Sequence, residues 1–386
     1  MKRILLYFIV CFGSIICKAQ IDTVVSLITA FPGTDIYELE GHSAIRVKMG
    51  PGHDFAVSYG IFDFNAPNFV YRFVKGETDY MVGCMPFHYF LESYAKDGRR
   101  VEELPLNLTS EEKAKLLDLL EENLKPENRV YRYNYVKDNC STRPLKMIEL
   151  ALNDSLILGE NKSFYGNTFR DVMRHYHTNY PWYQFGIDIA LGSGIDYPLS
   201  SREYAFVPML MAEQASKARI GYRKLSAESN VLIDVDPENA VLGPTPWFFT
   251  PLFIGWLIFL VVLFFVIKDL ITRKITRWLD CLYFGILGVA GLLLTFLIFI
   301  SVHEATSPNY LYLWLNPFCL IPVIFIWFKT CRKLVLGYEI LNCSLVIVTL
   351  IVWPWIPQSA NPAFLPFVLA DIAISARFIW LSINRR

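Results

Sequence analysis

The chain has 386 residues, 36 Lys and Arg against 36 Asp and Glu, 54% hydrophobic residues and a positive mean hydropathy. A zero net charge gives no reason to invoke nucleic acid, and so large an apolar share points to a membrane. The apolar excess is uneven: residues 20–246 carry charges throughout, whereas 247–386 is a series of long apolar runs. The expected organisation is a soluble domain of about 225 residues, ample for its own core, and a membrane domain of about 140.

Residues 1–19 read as a secretory signal: Lys2 and Arg3, an apolar run from Ile4 to Ile16, and cleavage after Ala19. The mature chain opens with Val24 to Thr34, a strand running into a turn, then a short helical connection over Asp35 to Gly41. Gly41 to Val47, a turn at Met49-Gly-Pro-Gly52 and Phe55 to Phe64 form a hairpin. If the hairpin closes with Val47 opposite Ala56, His42 falls opposite Ile61, and its diagonal neighbours on that face are Tyr59 and Asp63. Those two are the candidates to orient the imidazole of His42 and fix its tautomer.

Asp79 to Val82 is strand-like, Phe87 to Tyr94 helical, and Arg99 to Leu106 another strand. Thr109-Ser-Glu-Glu opens an amphipathic helix to Leu124, with a capping residue, acids in the first turn and leucines on one side. Then comes Tyr135-Val-Lys-Asp-Asn-Cys-Ser-Thr-Arg-Pro144, which ends a strand over Val130 to Val136 and opens a helix over Leu145 to Leu152. Asp138, Asn139, Ser141 and Thr142 are helix-start residues, and Pro144 is tolerated in a first turn. Cys140 is therefore expected at a helix N-terminus, where unpaired amides and the helix dipole favour the nucleophilic thiolate. Its own amide and the Asn139 side chain are candidate oxyanion donors.

Of eight cysteines, only Cys84 and Cys140 lie in the exported domain, so a disulfide between them is the structural alternative for Cys140. Thr168 to Tyr176 and Phe206 to Arg219 read as helices. His175 and His177 have no acidic or cysteine companion at ligand spacing, and no metal is implied.

Five apolar segments follow, Trp247 to Ile267, Cys281 to Val302, Tyr310 to Phe328, Leu334 to Trp355 and Ala363 to Leu381, each long enough for about 30 Å of hydrocarbon. Lys and Arg fill the first and third loops and the C-terminus, including Arg385 and Arg386, and are missing from the second and fourth. With the soluble domain outside, this is the positive-inside pattern of an inner-membrane protein. The outer loop Ser301 to Asn309 offers His303, Glu304 and Asn309 as candidates to face the catalytic domain. Glu339, Asp371 and Arg377 are ionisable groups within spans, costly there unless paired or wet.

Thr29-Ala-Phe-Pro-Gly-Thr-Asp-Ile-Tyr37, Gly41-His-Ser-Ala-Ile-Arg46, Tyr59-Gly-Ile-Phe-Asp-Phe64 and Asn134 to Pro144, followed by the five-span tail, resemble the Lnb family of periplasmic lipoprotein N-acyltransferases. The resemblance implies an α+β fold: a permuted papain-like periplasmic domain, histidine before cysteine, and then a five-helix transmembrane domain. It also implies His42 as base and Cys140 as nucleophile, membrane phospholipid as acyl donor, diacylated lipoproteins as acceptors, and no cofactor. The same Cys and His would also suit a papain-like cell-wall peptidase or amidase. A non-enzymatic membrane protein that binds a partner through its exported domain is the third reading.

Overall fold

The computed structural model describes residues 23–384 except 64 and 165. The signal segment 1–19 and Arg385–Arg386 lie outside the described residues. The chain divides into two compact units: residues 23–73, 77–176 and 198–243 form the first, and 74–76, 177–197 and 244–384 the second.

The first unit is built on a seven-stranded antiparallel sheet. Its strands in chain order are β1 (Thr23–Ala30), β2 (His42–Met49), β3 (Asp54–Ile61), β4 (Asp79–Pro86), β5 (Val101–Pro105), β6 (Val130–Arg132) and, after two-residue strands in a small second sheet, a last one at Asn230–Ile233. That last strand lies at one edge beside β5; then come β1, β2, β3, β4 and, at the other edge, β6. Strand alternation sorts the side chains onto two buried faces. Val25, Leu27, Ile45, Val47, Val57 and Tyr59 share one core with Leu116, Leu120 and Leu124 of the helix Ser110–Leu124 and with Leu145 and Ile148 of Thr142–Ala151. Ile28, Ala30, Ala44 and Ala56 pack on the other face against Phe87 and Phe90 of the helix Phe87–Lys96.

Local signals account for these elements. Thr109 Oγ1 accepts the Glu112 N–H at 3.2 Å while Glu112 Oε2 accepts the Thr109 N–H at 2.7 Å, a reciprocal cap that starts Ser110–Leu124. The β2–β3 hairpin differs from expectation by one residue. Val47 pairs with Phe55 and Ala44 with Ser58, because the turn closes with the Met49 N–H on the His53 carbonyl at 2.7 Å. A one-residue slip moves every side chain to the other face.

The second unit contains four helices long and apolar enough to cross a membrane among the described residues: Pro251–Thr272, Arg277–Phe299, one within Lys329–Trp355, and Phe364–Ile383. The expected third span, 310–328, is not one helix. It runs as two 3-10 turns and a short helix, Leu320–Phe325, interrupted where Asn316 caps Phe318 ahead of Pro317. Pro317 and Pro322 remove amide donors, so a continuous helix is unavailable there. The segment instead lies against Arg277–Phe299 at two glycines: a Cβ on Gly291 would fall 2.3 Å from the Asn316 carbonyl carbon, and one on Gly288 would fall 2.5 Å from Leu320 Cδ2.

Residues 177–197, expected with the soluble domain, cluster with the membrane helices. Gly192 N–H bonds to Ala305 O at 2.8 Å, Ser193 N–H to Pro308 O at 2.7 Å, Asn361 Nδ2 to Asp188 Oδ2 at 2.8 Å, and Trp182 Nε1 to Phe249 O at 2.6 Å. At the opposite ends of the helices, Arg332 Nη2 reaches Ser382 O at 2.9 Å. The chain between Asn309 and Arg332 therefore passes from one end of the bundle to the other despite its broken form.

Candidate active site

His42 opens β2 directly after Gly41, and Cys140 precedes the helix Thr142–Ala151 by two residues. The two meet at the head of β2. The Cys140 sulfur accepts hydrogen bonds from the backbone N–H of Ser43, the residue after His42, and from the Tyr133 hydroxyl. Strand β3 bends at the same place. The β3–β4 register shifts between Ser58 and Ile61, and Gly60 within the bulge has φ +88°. A Cβ at Gly60 would lie 3.3 Å from Cys140 Cβ, so the absent side chain leaves room for the cysteine.

His42 Nε2 lies 2.7 Å from Ser58 Oγ, its diagonal neighbour on β3. This corrects the expectation of Tyr59 or Asp63. In the observed register Tyr59 points into the opposite core, edge-on to Tyr131, and Asp63 Oδ1 caps the Asn65 amide at 2.8 Å in the following turn. The contact engages Nε2, the ring nitrogen away from the backbone side of the imidazole, and Nδ1 is not part of it. Tyr94 of Phe87–Lys96 stacks on the imidazole with centroids 6.5 Å apart, and Arg99 stands near enough for its charge to bear on the ring.

Asn139, expected as an oxyanion donor, has its side-chain amide hydrogens engaged elsewhere. Its Nδ2 donates to the Tyr135 and Phe206 carbonyls at 2.7 and 2.8 Å, while its Oδ1 accepts the Ser141 and Thr142 amides at 2.8 and 2.9 Å. Asn139 is thus the side-chain cap of the helix. By occupying those amides it withdraws the donors expected to favour a thiolate, and burial pushes the Cys140 thiol up to about 11 against the pull of Ser43 N–H, Tyr133 and its own N–H, with the Glu40 charge adding to the rise. Burial first, and then the Arg99 charge, push His42 down to about 4. Both shifts favour the neutral forms, thiol and imidazole. Two amides, those of Ser43 and of Cys140 itself, point at the sulfur.

Neither Cys84 nor Cys140 is in a disulfide. Cys84 sits on β4 opposite Val57, so the disulfide alternative is not realised. His177 is buried, 2.6 Å from Gln184 Oε1, and His175 is exposed beside Phe164. Asn309 is spent on architecture, donating to Ile189 O at 2.9 Å and accepting from Gln358 Nε2 at 3.0 Å. His303 precedes a 3-10 turn that begins at the exposed Glu304. Ser58, Tyr133 and Tyr94 are the site residues that the sequence did not single out. Tyr133 sits in the alternating run Tyr131, Tyr133, Tyr135, a visible signal, whereas Ser58 depended on register.

Residues 15–176 match the family model of the Lnb N-terminal periplasmic domain, and 244–386 match that of the Lnb transmembrane domain. The chain belongs to the Lnb family. The Lnb periplasmic match contains His42, Ser58, Tyr133 and Cys140, and the Lnb transmembrane match begins where the second unit takes up the chain, at Pro244. No curated protein and no solved structure matches it.

Proposed function

We propose that this Lnb-family protein is a lipoprotein N-acyltransferase working through a Cys140 thioester. The observation that carries the reading is the convergence of His42, Cys140 and the Ser43 amide in a chain of this family with a membrane domain. The order is that of a permuted papain-like site, with the base at the head of a strand and the nucleophile later at the head of a helix.

In the first half-reaction His42 Nδ1 takes the thiol proton as Cys140 Sγ attacks an ester carbonyl of a membrane phospholipid. The S–C bond forms, the carbonyl oxygen's charge is met by the Ser43 and Cys140 amides, and the ester C–O bond breaks. The proton passes from His42 to the leaving lysophospholipid oxygen. In the second, the N-terminal amine of a diacylglyceryl-cysteine lipoprotein attacks the thioester. An N–C bond forms, the C–S bond breaks, and the amine proton returns through His42 to the sulfur. A neutral resting pair suits this sequence, because an imidazole held unprotonated is ready to accept the thiol proton, and the Tyr133 hydroxyl supports the sulfur as it becomes anionic.

The apolar helices and the distribution of Lys and Arg support an inner-membrane protein with its N-terminal domain in the periplasm and five passes, the third formed by the broken segment 310–328. Both substrates are amphiphiles, and a covalent membrane tether raises their effective concentration at the enzyme. Mass spectrometry of lipoprotein N-terminal peptides from cells with and without the protein, and with Cys140→Ser, tests the reading. The N-acyl group disappears in both altered strains; its retention with Cys140→Ser rules out the thioester route.

A further inference from the structure

The connection from β1 to β2 delivers an acidic residue to the active site. Gly41, at φ +84°, turns the chain so tightly that a Cβ there would fall 2.6 Å from Ala30 O, and Glu40 is thereby fixed just before the strand that begins with His42. Glu40 is 8% exposed, and its carboxylate accepts the Tyr135 hydroxyl. Tyr135 belongs to the other half of the site. Its turn is closed by Asp138 N–H on Asn134 O at 2.9 Å and Asn134 N–H on Asp138 O at 3.1 Å, and its carbonyl accepts Asn139 Nδ2 at 2.7 Å. Asn139 immediately precedes Cys140. The Tyr135–Glu40 bond therefore ties the segment that carries the thiol to the segment that carries the imidazole, and sets a carboxylate where they join.

That carboxylate stands near enough for its charge to bear on the Cys140 thiol, on the Tyr133 hydroxyl that donates to the sulfur, and on the Tyr176 hydroxyl at the end of the helix Phe169–Tyr176. Cys140 is half-buried and Tyr135 is 38% exposed, so a substrate reaches this place from outside. In the first half-reaction a negative charge beside the sulfur is a hindrance, because it opposes the thiolate. The second half-reaction brings it a partner. An α-amino group, with a usual pKa of about 8, arrives at neutral pH chiefly as ammonium, and an ammonium in a place with little water is held most strongly by a carboxylate. Water, the competing acceptor, gains nothing from the same charge.

We infer that Glu40 is the acceptor-binding carboxylate: it holds the ammonium group of the incoming lipoprotein N-terminus beside the Cys140 thioester, takes up one of its protons, and so favours aminolysis over hydrolysis. The inference rests on the acyl-transfer reading and deepens it. Of the three ammonium protons, one passes to Glu40 and on to water, and one travels through His42 to the sulfur as the C–S bond breaks. The third stays on the nitrogen as the N–C bond forms.

The test uses the full chain in detergent micelles. Cys140 is loaded from p-nitrophenyl palmitate and followed by mass, and the acyl-enzyme is then offered a diacylglyceryl-cysteinyl peptide with a free N-terminus; N-acylated peptide and free fatty acid are both counted. Glu40→Gln, relieved of the adverse charge, loads Cys140 faster than wild type, while its ratio of peptide acylation to hydrolysis falls at least about tenfold, the worth of one hydrogen bond to a charged group. Glu40→Asp, which keeps the charge, recovers part of the ratio, and Tyr135→Phe, which removes only the hydroxyl at an exposed position, keeps it. A wild-type chain that cannot be loaded, or once loaded cannot acylate the peptide, overturns the acyl-transfer reading and the role of Glu40 with it. A wild type that is loaded and transfers, with the same ratio in Glu40→Gln, overturns the role of Glu40 alone. So does a Glu40→Gln chain that no longer loads, or a Tyr135→Phe chain with the same fall in ratio, since either makes Glu40 a brace between the two segments rather than a contact of the amine.

Discussion

Buried polar chemistry is handled in opposite ways by the two units. In the first, Cys140 accepts the amide next to His42, and burial raises the thiol's proton affinity and lowers the imidazole's, with the Glu40 and Arg99 charges acting in the same directions. In the second, Arg377 of Phe364–Ile383 is fully buried and keeps its charge by pairing with two carboxylates, Asp269 at 2.5 Å and Asp280. Asp269 also accepts both the N–H and the hydroxyl of Thr276, at 2.7 and 2.6 Å. Asp371 is held by Trp314 Nε1 at 3.2 Å and Asn342 Nδ2 at 2.6 Å, while Glu339 is buried on the helix Arg332–Val352. The contrast separates chemistry from architecture. A site that must create charge during a reaction starts neutral, whereas a charge with only a structural task is compensated at once.

The sharpest way to break this comparison is to remove the compensation. Arg377→Met leaves two buried carboxylates facing each other and is expected to destabilise the membrane unit by about 3–5 kcal/mol. Thermal unfolding of the detergent-purified full chain measures it. Adding Asp269→Asn and Asp280→Asn to Arg377→Met recovers most of the loss. A single Arg377→Met variant as stable as wild type would sink the structural role assigned to the triad.

The neutral pair has a pH signature of the opposite kind. Because His42 is lowered from 6.5 to about 4, the unfolded state binds the extra proton first, and stability falls as pH drops from 6.5 toward 4. Because Cys140 is raised from 9.0 to about 11, the folded state holds its proton longer, and the contribution is lost as pH rises from 9.0 toward 11. Alkylation of Cys140 by iodoacetamide is therefore expected to climb steadily toward alkaline pH. A plateau of thiolate reactivity beginning between roughly pH 4 and 7, as an ion-paired thiol gives, would contradict the neutral resting state.

These outcomes also mark what the sequence made legible. The helix Ser110–Leu124 was readable because its cap lies within four consecutive residues, and the strands because alternation is local. The state of the thiol was not. Helix-start residues around Cys140 were visible, but nothing in their order tells that Asn139 takes the Ser141 and Thr142 amides for itself. The apolar run 310–328 likewise resembles a span by composition. Its break follows from two prolines and from glycines about 30 positions earlier, Gly288 and Gly291, whose close approach only folding reveals.

Gly60→Ala sharpens the site side of the comparison. The new methyl must sit at φ +88° and 3.3 Å from Cys140 Cβ, which costs about 1–2 kcal/mol for the backbone alone. It also displaces the nucleophile, so alkylation and transfer both slow. Gly98→Ala is the control: φ is +65° with nothing within 4 Å of the added Cβ, so stability falls while Cys140 reactivity holds. Equal reactivity in the two variants would remove Gly60 from the account of the site.

The smallest expected effect decides the hairpin register, and with it how His42 is held. Ser58 Oγ is 2.7 Å from His42 Nε2 and Ser58 is 5% exposed, so Ser58→Ala removes the contact that fixes the ring. On the proposed mechanism Ser58 is a positioning residue, acting through its contact with His42 rather than on the substrate. Transfer is expected to fall about tenfold, with stability changed by about 1 kcal/mol, the usual worth of one hydrogen bond. Ser58→Thr, which keeps the hydroxyl, restores the rate, and the acid limb of the rate profile moves in Ser58→Ala because the imidazole's proton affinity has lost one of its determinants. Tyr59→Phe is the counterpart. Its hydroxyl is buried on the other face with no hydrogen-bond partner among the described residues, so its loss leaves the rate untouched and costs no stability. Reversal of the two results, slow Tyr59→Phe and normal Ser58→Ala, would mean that the hairpin closes one residue further along in the working enzyme, with Val47 opposite Ala56.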